Sequence, residues 1–149
     1  MRGTPDYTTE FTVDESPRDV FAAITNVPAW WSGTIDGDCD RLGARFTYRY
    51  QDEHRSTQEI TEFVPGAKIV WQVVDSYLRF VKKTDEWTGT RMVFEISESN
   101  GKTRVRFTHA GLKPEEECYD SCSNAWRLLI NGNLKSLITT GKKQPDPFA

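Results

Sequence analysis

The chain has 149 residues, 37% of them hydrophobic and 28% charged, with a formal net charge of −3. That length suits a single domain, 1–149, burying roughly 70% of the surface its unfolded form exposes, and the composition is that of a globular rather than a disordered protein. The 19 Lys and Arg are interleaved with 22 Asp and Glu, which argues against a nucleic-acid partner, and no eighteen uncharged apolar residues run together to span a membrane.

The opening MRGTPDYTTE has no apolar signal-peptide core, so a cytoplasmic location is expected. Tyr7 to Val13 alternates as a strand. A helix start follows, with Ser16 as N-cap, Pro17 at the first helical position, Asp19 in the first turn, and Val20, Phe21 and Ile24 as the apolar stripe. NVPAWW then reads as a second short helical turn ending at Ser32-Gly33. Trp30 and Trp31 are adjacent, and neighbours in a helix or strand point in different directions, so the two rings are expected to face different surroundings.

From Ile35 to Ala110 the pattern is an antiparallel meander: ARFTYRY, STQEITEFV, KIVWQVVD, TRMVFEISE and KTRVRFTHA, with QDEHR, PGA and SNG among the separators. Phe46, Tyr48 and Tyr50 share one face of their strand, as do Met92, Phe94 and Ile96, and Val105, Phe107 and His109. Arginines and threonines take the opposite face, so one sheet face is apolar and the other wet. The segment SYLRFVKKTDEW mixes aromatic and cationic residues as a lid or partner surface would, and Glu86 and Trp87 are placed to flank a cavity. Beyond GLKPEEE the period turns helical through Cys122, Trp126, Leu129 or Ile130, Leu134 and Leu137 as far as Gly141, about two dozen residues or ~35 Å. NGN (Asn131 to Asn133) sits badly in such a helix, implying either a close backbone approach at Gly132 or a bend. Residues 143–149 read as a loose tail. The architecture is α+β, a curved antiparallel sheet wrapped around a long C-terminal helix, and such a grip tends to leave a cavity.

The stretches FTVDESPRDVFAAITNVPAWW, EWTGTRMVFEIS, TRVRFTHAGLKPEEEC and AWRLLINGNLKSLITTGK resemble the START-like, birch-pollen-allergen-like helix-grip superfamily (SRPBCC), and within it the single-domain relatives of the activator of heat-shock protein 90 ATPase homologue family. The resemblance implies a helix-grip fold and sets the second short helix along one mouth of the cavity. One of Trp30 and Trp31 is then expected in the core and the other beside the opening. By analogy with the co-chaperone relatives, a protein-interaction module is the alternative to ligand binding.

The ring-rich sheet face motivates the leading expectation, a small apolar or aromatic ligand held by Trp30, Trp31, Phe46, Tyr48, Trp71, Trp87, Phe94, Phe107, His109 and Trp126. His109, on the inner face with Val105 and Phe107, is either a ligand contact or acid–base group, or a structural histidine paired with its surroundings. A cyclase or hydrolase using it ranks third. Cys39, Cys118 and Cys122 form neither an even disulfide framework nor a paired CxxC pattern and read as reduced thiols. Neither a metal nor a cofactor is expected, and since GxSxG, GxxxxGK[ST], HExxH and GxGxxG are all absent, no catalytic residue is assigned.

Overall fold

The computed structural model describes residues 6–114 and 116–148. The first five residues of the opening segment, and the last residue of the tail, lie outside that description. Seven strands form one antiparallel sheet in the order β1-β7-β6-β5-β4-β3-β2. They are β1 (Tyr7–Val13), β2 (Thr34–Gly37), β3 (Arg45–Tyr50), β4 (His54–Val64), β5 (Lys68–Leu78), β6 (Arg91–Ser99) and β7 (Lys102–Ala110). Helix α1 (Pro17–Thr25) and a 3-10 turn (Val27–Ala29) fall between β1 and β2. The chain closes with α2 (Tyr119–Trp126), a π-helical stretch (Arg127–Leu134) and α3 (Lys135–Thr140), which run on as one rod. No helix among the described residues is long and apolar enough to cross a membrane.

Alternation drives the packing. Phe46, Met92, Phe94, Ile96, Val105 and Phe107 are all buried on the concave face, against Trp126, Ile130, Leu134 and Leu137 of the rod. Polar residues of the outer face pair with each other instead, as Arg45 does with Glu59 at 2.7 Å and Lys68 with Glu62 at 3.6 Å. The N-cap of α1 is as expected: Ser16 Oγ accepts from the Asp19 N–H at 3.1 Å.

Three features differ from the sequence reading. Strand β4 begins at His54, inside the polar QDEHR segment, because His54 pairs with both Tyr50 and Leu78. The NGN irregularity is π winding rather than a close approach, since a Cβ on Gly132 would meet nothing within 4 Å. It gives the two asparagines work: Asn131 Oδ1 accepts from Thr9 Oγ1 at 3.0 Å, and Asn133 Nδ2 donates to the carbonyls of Trp30 and Pro145, both at 3.0 Å. The tail, expected to be loose, is docked across residues 144–148. The Gln144 N–H donates to the Ala29 carbonyl at 2.9 Å, and the Phe148 ring packs edge-on to Tyr50 at 5.6 Å.

Candidate functional site

At one end of the grip lies a cavity of about 190 Å³ between β3 and β4, the loop after β5, and the start of the C-terminal rod. Four of the residues the sequence points to form its walls: Trp31, Tyr48, Trp87 and Trp126. Trp31 stacks on Tyr48 at 4.4 Å, and Trp87 on Trp126 at 5.8 Å with planes only 9° apart. The remaining aromatic candidates lie outside the walls. Trp30, Phe46 and Trp71 are covered by the Trp31 ring, and Phe107 by Trp126, while the Phe94 ring meets the inner rings of Trp30, Trp71 and Phe107.

The double tryptophan divides between the inner core and the cavity wall, Trp30 lying behind the wall and Trp31 on it, and both rings are buried. Trp30 is 0% and Trp31 5% exposed, with their rings stacked at 5.9 Å. Neighbouring side chains can share a side here because the pair leaves a 3-10 turn, outside any regular helix or strand. The turn that follows needs Gly33 at φ +71°, where a Cβ would come within 2.1 Å of the Arg49 carbonyl oxygen. Trp30 is pinned by its indole N–H donating to the Ile24 carbonyl at 3.2 Å.

Trp87 owes its position to its neighbour. The Glu86 carboxylate accepts the backbone N–H groups of Glu117 at 3.2 Å and Cys118 at 3.0 Å, capping the positive end of α2 and tying the loop to the rod. Trp126 is held from behind by His109. Its indole N–H donates to His109 Nδ1 at 3.0 Å, and His109 Nε2 lies 2.8 Å from Thr90 Oγ1, which donates to the Trp87 carbonyl at 2.5 Å. An indole N–H only donates, so Nδ1 accepts, the ring proton sits on Nε2, and every group in the chain is satisfied. His109 is 0% exposed, and burial pushes its pKa down to about 3. With both nitrogens engaged and no place on the cavity wall, His109 sits behind the wall as a strut between two wall tryptophans.

The wall also contains Tyr50, which the sequence places on the inner face with Tyr48, and residues outside the expected ligand set, notably His54, Phe80, Cys122, Leu129 and Phe148. His54 is half-buried, edge-on to Tyr48 at 5.0 Å and to Trp87 at 4.5 Å, with burial pushing its pKa down to about 3. Its signal was present in the sequence. Carrying the alternation of Ile60, Gln58 and Ser56 back by one more step reaches His54, but the polar QDEHR looked like a turn. Farther along that row Gln58 is 0% exposed, and neither of its amide atoms has a hydrogen-bond partner among the described residues.

Cys39, Cys118 and Cys122 are buried free thiols. Hydrogen bonding to Cys122, with burial, pushes the Cys118 thiol up. Among the described residues no three His, Cys, Asp or Glu side chains converge to hold a metal ion.

An antiparallel sheet gripping one C-terminal helical rod, with a ring-walled cavity at one end, defines a helix-grip, START-like domain. Residues 14–139 match the family described as activator of Hsp90 ATPase homolog 1-like protein, and the chain belongs to that family. Solved structures agree on the fold. Aha1 from Colwellia psychrerythraea, solved as a dimer, is 21% identical, with 93% of this chain covering 98% of that one at a TM-score of 0.74. Protein MLL2253 from Mesorhizobium loti is 15% identical, over 90% of this chain and 98% of that one, at a TM-score of 0.68. CalU16 from Micromonospora echinospora is 17% identical, over 90% and 76%, at a TM-score of 0.62. No curated protein sequence matches the chain.

Proposed function

We propose that the protein binds a small apolar or aromatic molecule in the cavity between the sheet and the C-terminal rod. The observation that carries this reading is the wall itself: a cavity of about 190 Å³ bounded mainly by aromatic rings. Ring walls offer stacked and edge-on contacts to a flat ligand, and removing such a ligand from water supplies the driving force. Membership of the family fits a cavity domain. A chaperone-like protein partner has only that membership behind it, and a cyclase or hydrolase loses its candidate residue because both nitrogens of His109 are engaged.

Three tryptophans on the wall make the reading testable without a label. Titration with flat aromatic compounds should quench or shift the intrinsic fluorescence saturably, and Trp31→Ala should weaken binding. A panel of one- and two-ring compounds that leaves the fluorescence unchanged, with no heat of binding by calorimetry, would overturn the reading.

A further inference from the structure

His54 stands out within that wall. One ring nitrogen, Nε2, meets Ser56 Oγ at 3.3 Å, and among the described residues the other has no hydrogen-bond partner. The ring is held by edge-on contacts with Tyr48 and Trp87 and by the inward row of β4, so its orientation is set before any ligand arrives. We propose that the cavity takes an uncharged ligand of one or two fused aromatic rings bearing a single hydroxyl, and that the unpartnered ring nitrogen of His54 reads that hydroxyl. This rests on the cavity-binding reading and adds to it a ligand class and a specificity-determining residue.

Size comes first. A cavity of about 150 Å³ lined by apolar side chains accommodates benzene, so one of about 190 Å³ suits the ring system of a phenol or a naphthol. The wall chemistry agrees: Ala125 and Leu129 are its only aliphatic side chains. Charge comes second. Among the described residues no Lys or Arg lines the cavity and Glu53 is its one carboxylate, which already faces Arg79 at 3.7 Å. An anionic ligand would be desolvated without a counter-charge. A quaternary ammonium would find ring faces but would leave the His54 nitrogen unused. The hydroxyl follows from hydrogen-bond logic. The Ser56 hydroxyl can donate or accept, so the open nitrogen is an acceptor in one tautomer and a donor in the other, and a hydroxyl serves both. Burial, which pushes the pKa of His54 down to about 3, keeps the ring neutral near pH 7.

The test is calorimetry or fluorescence titration of the full chain with naphthalene, 2-naphthol, 2-naphthoate, dodecanoate and choline. 2-Naphthol should bind about fivefold to tenfold tighter than naphthalene, the worth of one net hydrogen bond, and the two anions and choline at least about tenfold more weakly than 2-naphthol. In His54→Phe the preference for naphthol over naphthalene should vanish; His54→Gln should retain part of the preference. If His54→Phe does not fold, the wild-type ligand series and His54→Gln still decide the matter. Equal affinity for naphthol and naphthalene, tighter binding of naphthoate or choline, or a preference that survives His54→Phe would overturn this inference alone. Failure of naphthalene and naphthol alike to bind would overturn the cavity reading beneath it.

Discussion

Replacing Trp126 by phenylalanine keeps an aromatic ring in the interior and removes the indole N–H that donates to His109 Nδ1 at 3.0 Å. The acceptor left behind belongs to a 0% exposed histidine. An unsatisfied buried group of this kind costs about 1–3 kcal/mol, and the smaller ring loses contact with Trp87 at 5.8 Å and Phe107 at 4.5 Å. Trp126→Phe should therefore destabilise by about 2–4 kcal/mol, and Trp126→Ala by about 3–5 kcal/mol or more. A double-mutant cycle with His109→Leu isolates the hydrogen bond: once the acceptor is gone, Trp126→Phe should cost about 1 kcal/mol less than in the wild type. Urea unfolding followed by far-UV circular dichroism gives all four stabilities. An additive cycle, or a Trp126→Phe variant as stable as the wild type, would refute the strut assigned to His109.

Gln58→Met removes two buried amide atoms that lack partners while roughly keeping volume, and it should stabilise by about 1 kcal/mol, raising Tm by about 3 °C; a lower Tm in a thermal melt would show that the amide is satisfied in solution. Glu86→Ala deletes the carboxylate that caps α2 and should cost about 1–2 kcal/mol, with a change in Trp87 fluorescence that a plain surface substitution such as Glu98→Ala lacks. The histidines set an acid limit. His54 and His109 have folded pKa values of about 3 against about 6.5 when unfolded, so the unfolded chain takes up protons first as pH falls. Stability should be full above pH 6.5 and decline between 6.5 and 3 by up to about 1.4 kcal/mol per pH unit for each histidine. Unfolding curves that superimpose at pH 7 and pH 5 would contradict this.

The strands were legible because their inner faces carry large apolar side chains at period two, as in Met92, Phe94 and Ile96, and α1 because its cap and proline stand in the right places. His54 is hard to read because the row behind it, Ser56 and Gln58, is polar, so the alternation that starts at Ile60 carries only a faint signal back into QDEHR, whose composition is that of a turn. The seating of Trp30 and Trp31 depends on a turn held open by Gly33 and on the bond from Asn133 to the Trp30 carbonyl, a contact across 103 positions of sequence. The same asparagine secures the tail through Pro145, so the misfit NGN and the docking of Phe148 share one cause that local propensity does not express. Which rings form the wall and which lie behind it was equally out of reach, since both layers have the same burial and the same chemistry.

The most direct test of the central claim is a crystal structure of the protein grown with saturating 2-naphthol. The density expected is a flat ring system between Trp31, Trp87 and Trp126, with its oxygen within hydrogen-bonding distance of the open nitrogen of His54. Ligand bound only on the outer surface, with the ring-walled cavity closed or filled by side chains, would contradict it.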